Sequence, residues 1–337
     1  MSIVFVGIDL AKNVFALHGV DSHGRAMLVR PAVSRAKLLE AIAALPPCSI
    51  GMEACSGAHH WARQFVAFHT VRLMAPKLVA PYRMSGKRGK NDAADAAAIC
   101  EAMQRPAMRF VPVKSEDQQA RLCMHRVRQG MVEQRTSLIN RVRGLLSEFG
   151  VVMPQKAATV RRQAAAHLED LPGWANLAVG DCLSEIHRMD ERLTYYDRHV
   201  SRIAAEDERS RRLMKLKGIS ATTARALVST IGNAADFKNG RQLAAWLGLV
   251  PGQYSLGGKT RLGHITKAGD GYLRTLLIMG ARALLAAATG KSDRLSRWAT
   301  ALAERRGYWK AVVAIAAKNA RMAWAVLTKG DDFRAIA

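Results

Sequence analysis

The sequence predicts an α/β domain at the N-terminus, followed by a long helical region and a second, mostly helical domain. Over residues 1–112, short apolar runs alternate with helical patterns. Residues 113–206 contain two stretches with few helix breakers and heptad-spaced apolar residues, and from residue 207 onward helical segments are separated by glycines. Strands that alternate with helices are typical of an α/β sheet, which places the first boundary near residue 112.

In the first region, apolar runs predict strands and longer mixed runs predict helices. The expected strands cover residues 2–8, 18–30 (from the HGV at 18–20 to the run at 25–30), 48–53 and 71–76. The expected helices cover residues 36–45, 59–68 and 91–103. Asn91 or Asp92 is placed to cap the last of these helices, because both side chains accept hydrogen bonds from a free helix N-terminus.

The middle region carries two apolar seams. One follows Met124, Val127, Met131, Leu138 and Leu145, and the other follows Ile186, Met189, Leu193, Tyr196, Val200 and Ile203. Two such helices are expected to pair as an antiparallel or intermolecular coiled coil, or to lie side by side in a compact bundle. The pattern permits both arrangements, and the first would make this a linker and oligomerisation region.

The third region opens with a helix-hairpin-helix-like pattern, LKGISATTARALVSTIG at residues 216–232. In such an element the glycine, here Gly218, lets backbone N–H groups approach a phosphate at a helix N-terminus beside Ser220. The alternative is a plain helical turn that Ser220 caps.

The charge balance indicates a polyanionic partner. The chain has 51 Lys and Arg against 27 Asp and Glu, a net charge of +24, and 49% hydrophobic residues, which argues against disorder. Charge alone leaves DNA, RNA and anionic lipid open, but basic residues spread along the whole chain favour nucleic acid. The five cysteines form no Cys-x-x-Cys pair, which argues against a disulfide framework and a structural zinc site. No secretion signal or membrane span is recognised, so a cytoplasmic protein is expected.

Four carboxylates stand out by their placement. Asp9 ends the first apolar strand, Glu53 ends another, and Asp92 and Asp95 are three residues apart, so that they share one face of a helix. Carboxylates at buried strand ends need a compensating cation. A pair of Mg²⁺ (or Mn²⁺) ions would compensate them and would also serve phosphoryl transfer. Taken singly, Asp9 and Asp92 are also explained as helix caps and Glu53 as a surface residue.

The acids lie in motifs that resemble a known family. GIDLAK around Asp9, GMEACSGAHHWA around Glu53, and KNDAADAAAI around Asp92 and Asp95 are similar to the acid motifs of the DEDD transposases of IS110-type insertion sequences. The relatives of that group include pilin-gene invertases. The resemblance runs nearly end to end and implies an N-terminal RNase H-like domain similar to the RuvC Holliday-junction resolvase. It also implies metal-dependent DNA chemistry at the four acids.

A second resemblance covers residues 237–285, which are similar to the C-terminal serine transposase domain of the same family. Relative to the Thr-Lys-Ala-Gly run at 266–269, Ser255 matches the serine that joins covalently to DNA. Many members carry Ser or Thr at the next position, where this chain has Leu256. Gly257 and Gly258 would admit the DNA backbone, and four basic residues would contact phosphates: Lys259, Arg261, Lys267 and Arg274.

The resemblance implies one composite active site, formed from the acid cluster and Ser255, which acts on donor and target DNA in the bacterial nucleoid. The two domains would meet within one chain or between protomers, so a dimer or tetramer is expected. An element-encoded bridge RNA is also implied, and basic side chains on the first long helix would contact it or form a solvated face: Arg121, Arg126, Arg128, Arg135, Arg141 and Arg143.

Two competing hypotheses remain at this point. One is a metal-dependent site-specific DNA invertase or junction nuclease that uses the acids alone, and the other is a non-catalytic nucleic-acid architectural protein. Some conspicuous residues are assigned no chemistry. His59 and His60 are not expected to bind metal, Cys55 is expected to be a small buried packing residue, and three tryptophans are expected in the core: Trp246, Trp309 and Trp324.

Overall fold

The structure, a computed structural model, describes residues 2–83 and 91–330. The chain divides into two compact units, Met1–Glu116 and Asp117–Ala337. The first is a mixed α/β unit and the second is mostly helical. The finer division at residues 112 and 206 stays a prediction.

The first unit contains a six-stranded mixed sheet. Its strands are β1 Phe5–Asp9, β2 Val14–Val20, β3 Ala26–Ser34, β4 Ser49–Glu53, β5 Thr70–Met74 and β6 Phe110–Val111. Their order is β3-β2-β1-β4-β5-β6, with β1, β4 and β5 mutually parallel and the other three strands antiparallel to their neighbours. The second predicted strand is in fact two strands, because the Asp21 carboxylate accepts hydrogen bonds from the N–H groups of His23 and Arg25 (2.8 and 2.9 Å) and closes a turn between them.

Helices pack on both faces of this sheet. They are α1 Leu38–Ala43, α2 Ala58–Phe65, α3 Pro76–Val79 and α4 Asp92–Ala102. One apolar cluster joins α1 and α2 to the sheet through residues such as Ile8, Ile50 and Phe65, and a second joins α4 through Ile99 and Met103. Because successive strand residues point to opposite faces, the residues between those of the first cluster face α4. The predicted helices over residues 59–68 and 91–103 are confirmed, with ends shifted by one to three residues.

The second unit holds nine helices and one hairpin within the described residues. The helices are α5 Glu116–Glu148, α6 Ala157–Gln163, α7 Gly173–Glu206, α8 Glu208–Met214, α9 Ala221–Ile231, α10 Gly240–Trp246, α11 Gly271–Ala286, α12 Arg294–Arg306 and α13 Tyr308–Lys329. The hairpin strands are β7 Pro251–Leu256 and β8 Lys259–Ile265. Helix α13 lies at the centre of this unit's apolar core and contacts α8, α10, α11 and α12.

Helices α5 and α7 pair antiparallel within one chain. Arg128 forms an ion pair with Asp197, and Arg135, seven residues later, pairs with Asp190, seven residues earlier. On α7 the predicted seam is largely confirmed, since Ile186, Met189, Leu193 and Val200 are buried. On α5 the predicted seam is confirmed only in part: Met131 is buried and Leu138 and Leu145 are half-buried. Val127, however, is 43% exposed, and the buried positions near the end of α5 are Ile139, Val142 and Leu146. The reason is that α6 also packs here through Val160, so three helices rather than a two-helix seam decide which face is buried.

Length and hydropathy would allow α13 to cross a membrane, and within residues 2–83 and 91–330 no other helix meets that test. Half of its apolar window is buried inside the second unit. The apolar face of α13 therefore packs in the core of the second unit.

Candidate active site

Asp9 and Glu53 lie side by side at one edge of the sheet. Strands β1 and β4 are parallel, with Ile8 opposite Met52, and each strand ends on its acid. The carboxyl ends of parallel strands meet at the same edge, so the two carboxylates are neighbours. The Glu53 side chain is only 12% exposed, which is not the exposure of an ordinary surface residue.

Helix α4 brings Asp92 and Asp95 to this edge. The Asn91 side chain caps the helix by accepting a hydrogen bond from the N–H of Ala94 at 2.7 Å, so Asp92 is not the cap. Both aspartates lie in the first turn, where the helix dipole favours negative charge.

Glycines let α4 lie directly on the sheet. A Cβ at Gly7 would overlap the carbonyl oxygen of Ala96 and lie 2.5 Å from the backbone nitrogen of Cys100. A Cβ at Gly51 would overlap the sulfur of Met103. The glycines of the GID and GME motifs therefore set the distance between the helix and the strands that carry the other two acids.

Substituting Gly7 by alanine is expected to lower the free energy of unfolding by about 1–3 kcal/mol, because the new methyl group overpacks against the backbone of α4. The measurement is urea unfolding of the purified protein. Gly130→Ala is the matched control, since a Cβ there meets nothing within 4 Å. That change should raise stability by about 0.5–1 kcal/mol through helix propensity. Equal effects of the two changes would contradict the packing argument.

The four acids interact electrostatically. Burial, together with the nearby carboxylates of Asp95, Asp92 and Glu53 and against the opposing charge of Arg83, raises the pKa of Asp9 to about 6. Burial also raises the pKa of Glu53. A carboxyl group whose ionisation is opposed by three neighbouring carboxylates lies in a strongly negative site. The predicted acid cluster is thus one electrostatic unit.

Arg83 neutralises part of this charge, and sequence reasoning missed it. Its Nη2 lies 2.9 Å from Glu53 Oε1 and its Nε lies 3.0 Å from Asp95 Oδ1. A lone arginine after a proline and a tyrosine carries no pattern that would have indicated this role. With the side chains in these positions, no group of three or more His, Cys, Asp or Glu within residues 2–83 and 91–330 is arranged to hold a metal ion.

Ser255 lies on an exposed β-hairpin. It is opposite Thr260, and its Oγ accepts a hydrogen bond from Gln253 Nε2 at 2.7 Å. Gly257 and Gly258 form the two-residue turn, with φ of 56° and 75°, values that favour glycine at both positions. Leu256 is 90% exposed, so no described residue of the second unit covers this tip. The hydroxyl is accessible to a large substrate.

The four predicted phosphate contacts differ in their surroundings. Lys259 and Arg261 are exposed on β8 on either side of Thr260, so by strand alternation they point to the hairpin face opposite Ser255. Lys267 has a left-handed backbone, with φ of 52°, at the turn that follows the hairpin. Arg274 Nη1 donates to the carbonyls of Leu247 and Ala268 at 3.1 and 3.0 Å, so this side chain holds that turn in place.

The helix-hairpin-helix-like element is formed by α8 and α9, and its turn is packed inside the unit. Gly218 has φ of 84°, and a Cβ there would lie 2.7 Å from the carbonyl oxygen of Gly280. Asn319 Nδ2 donates to the Lys217 carbonyl at 3.1 Å. The Ser220 hydroxyl caps α9 by accepting from the N–H of Thr223 at 3.3 Å. Packing and capping explain both residues, and DNA binding by Gly218 and Ser220 stays a prediction.

Several other residues can be placed. His59 accepts a hydrogen bond from the N–H of Lys114 at 3.1 Å. The prediction for Cys55 is wrong, because the residue is exposed. The five cysteines are all free. Among the tryptophans, Trp324 packs as expected, whereas Trp246 is 37% and Trp309 64% exposed.

Comparison with known proteins defines the class. Residues 6–151, which carry all four acids, match the profile of the DEDD transposase domain of IS110 elements. Residues 210–297, which carry Ser255, match the profile described as Transposase IS116/IS110/IS902 family. The protein is therefore a DNA transposase, an enzyme that cuts and joins DNA.

Full-length relatives give the family. The chain is 44% identical over 340 residues to a "Probable family 20 transposase" of Pseudomonas aeruginosa, with 99% of each chain covered. It is 40% identical to the "Transposase for insertion sequence element IS1111A" of Coxiella burnetii (98% and 92% covered) and 38% identical to that of IS1328 of Yersinia enterocolitica (98% and 99% covered). The chain belongs to the IS110/IS116/IS902 family of insertion-sequence transposases.

Proposed function

We propose that this transposase cuts and joins donor and target DNA at a composite site, to which Asp9, Glu53, Asp92 and Asp95 contribute one half and Ser255 the other. The observation that carries the proposal is that one chain holds both a negative, partly buried acid cluster and a serine displayed on an open hairpin. The strand order, with acids at the ends of β1 and β4, supports an RNase H-like, RuvC-like assignment for the first unit.

The chemistry of the acid half suits a divalent cation. All four side chains offer carboxylate oxygens, the ligands that Mg²⁺ and Mn²⁺ prefer, and Arg83 already brings a positive charge between two of them. Asp9, Glu53, Asp92 and Asp95 would hold the metal after Arg83 has released Glu53 and Asp95. When bound, such a metal stabilises negative charge on the oxygens of a reacting phosphodiester.

The serine half would form the covalent bond. The Ser255 oxygen attacks a DNA phosphorus, the bond from phosphorus to one bridging oxygen breaks, and the serine proton ends on that leaving oxygen. Lys259 and Arg261, exposed on the other face of this hairpin, hold neighbouring phosphates of the DNA that passes its tip. Joining is the same exchange in reverse, with a hydroxyl of the other DNA as the attacking group.

Mixing two inactive proteins tests whether the halves come from different protomers. Ser255→Ala and Asp9→Asn would each be inactive alone in recombining a donor and a target plasmid. If the composite site forms between protomers of a dimer or tetramer, the mixture regains activity. Should either protein be active by itself, the composite site is contradicted.

We further propose guidance by an element-encoded bridge RNA. Four of the six arginines considered for this role on α5 are engaged within the chain, through ion pairs or, for Arg143, carbonyl oxygens. Arg126 and Arg141 are exposed on the same helix, and they are the side chains we assign to the RNA. A DNA-acting complex of this kind would work at the nucleoid.

Replacing Arg83 by methionine is expected to make the acid half more dependent on added metal. Without the guanidinium, stability in EDTA should fall by about 1–2 kcal/mol, since Glu53 and Asp95 lose a charged hydrogen-bond partner. Added Mn²⁺ should then raise the melting temperature more than it does for the natural protein. Arg105→Met removes an exposed ion pair with Glu101 elsewhere on α4 and serves as the control. The same Mn²⁺ response in all three proteins would overturn this prediction.

A further inference from the structure

The corner between α12 and α13 exposes aromatic side chains that the fold does not need. Helix α12 ends at Arg306, Gly307 follows with φ of 83°, and α13 begins at Tyr308. Trp309 is 64% exposed and Tyr308 42% exposed, although both are large apolar side chains. On the same helix, the Trp324 indole packs on the core and donates to the carbonyls of Ala234 and Phe237, both at 3.1 Å. Packing therefore explains Trp324 but not Trp309.

The aromatic rings form an organised group with a cation and a thioether from α11. The ring centroids of Tyr308 and Trp309 are 5.2 Å apart, with their planes at 82°. Arg282 Cζ lies 5.6 Å from the Trp309 ring centroid, and Arg282 Nε donates to the Tyr308 hydroxyl at 3.5 Å. Met279, one turn earlier on α11, is 53% exposed and accepts from Arg282 Nη1 at 3.6 Å.

The charges around these rings are mostly positive. Residues 304–310 are all exposed and hold Arg305, Arg306 and Lys310 against the single acid Glu304. We define the corner patch by Met279, Arg282, Arg305, Arg306, Tyr308 and Trp309. A positive surface with exposed aromatic rings matches a ligand that carries both phosphates and flat apolar faces.

We infer that the corner patch binds unpaired DNA, with bases stacked on Trp309 and Tyr308 and phosphates held by the neighbouring arginines. Single-stranded nucleic acid presents base faces and phosphates together, whereas the bases of a duplex are stacked inside. The occupant is DNA because the enzyme cuts and joins DNA strands, which leaves nucleotides unpaired. The biological purpose of the patch rests on the proposed function, but its binding of oligonucleotides does not require Ser255 or the acids.

The test compares binding of a labelled dT12 oligonucleotide and a 12-base-pair duplex by fluorescence anisotropy at fixed salt. Stacking is worth about 1–3 kcal/mol per base, so Trp309→Ala should raise the Kd for dT12 by about 5–150-fold and leave the duplex Kd nearly unchanged. Trp309→Phe keeps a ring and should retain most of the binding. Ser255→Ala should bind dT12 normally, so loss of recombination in that variant is separate from loss of stacking.

Trp174→Ala is the matched control. Trp174 is 88% exposed on α7, but Asp170 and Asp181 rather than cations flank it in the sequence. Equal weakening of dT12 binding by Trp174→Ala and Trp309→Ala would overturn the inference, as would equal weakening of duplex binding by Trp309→Ala. It would also be overturned if Trp309→Ala weakened only rU12 binding, or changed only the oligomeric state in size-exclusion chromatography.

Discussion

Replacing Ser255 by alanine is expected to lower recombination between a donor and a target plasmid, with bridge RNA supplied, by about 10³-fold or more. The substitution removes the oxygen that is proposed to bond to phosphorus, and loss of a nucleophile is not compensated by binding contacts. The hydroxyl makes one hydrogen bond, from Gln253, on an exposed strand. Folding and nucleic-acid binding should therefore be unchanged, which separates lost chemistry from lost structure.

Thr260→Ala provides the matched control for this prediction. Thr260 lies directly opposite Ser255 on the hairpin and is also exposed, so the change removes a second hydroxyl from the same surface. Near-normal recombination is expected. If Ser255→Ala recombines as well as Thr260→Ala, Ser255 is structural, and the chemistry belongs to the acid cluster alone, as in a metal-dependent invertase or junction nuclease.

Replacing Asp9 by asparagine is expected to reduce recombination by about 10³-fold while making the metal-free protein more stable. The amide removes a charge and an anionic metal ligand from the cluster, which accounts for the loss of activity. The same change removes the repulsion between carboxylates and the cost of burying a negative charge, which together raise the pKa of Asp9 from 3.8 to about 6. After allowance for solvent screening, the gain in stability at neutral pH is about 1–2 kcal/mol.

The gain depends on pH in a defined direction. A carboxyl group whose pKa is raised on folding does not lower the free energy of unfolding below about pH 3.8, where it is protonated in both the folded and the unfolded state. The loss of stability grows as the pH rises from about 3.8 to about 6 and is constant above that. When the free energy of unfolding is measured in EDTA, its decrease from pH 5 to pH 8 should be smaller for Asp9→Asn than for the natural protein.

Glu101→Gln is the control for this second prediction, because Glu101 is an exposed acid of α4 that pairs with Arg105, outside the cluster. It should change neither recombination nor the pH dependence. Full recombination by Asp9→Asn would contradict the role of the acid cluster. Lower stability at neutral pH would instead mean that the Asp9 carboxylate makes a favourable contact that the mutual repulsion does not outweigh.

The positions of the four acids could be predicted from the sequence because each follows from local rules. An apolar run ends where its strand ends, which placed Asp9 and Glu53, and helical periodicity placed Asp92 and Asp95 on one face of α4. The Asn91 cap follows from the same local chemistry. No local rule connects the acids with Ser255, and only the resemblance to family motifs suggested that they act together.

Other features depend on contacts between distant parts of the chain, and local patterns do not encode them. Arg83 reaches Glu53 across 30 residues of sequence, and any surface arginine looks the same in a one-dimensional pattern. The buried face of α5 is decided by α6 as well as α7, so the heptad spacing included the buried Met131 but missed Ile139, Val142 and Leu146. Trp309 was expected in the core because α13 is apolar, but its place at the first turn leaves it beyond the helices that cover the rest.

Detection of the protein–DNA bond tests the central claim most directly. Wild-type protein incubated with labelled donor DNA would be resolved on a denaturing gel and digested with trypsin for mass spectrometry. The account predicts a nucleotide adduct on the peptide of residues 242–259, located on Ser255, present in Tyr254→Phe and lost in Ser255→Ala. An adduct that persists in Ser255→Ala or maps to Tyr254 would contradict the serine mechanism, as would recombination that proceeds with no adduct at all.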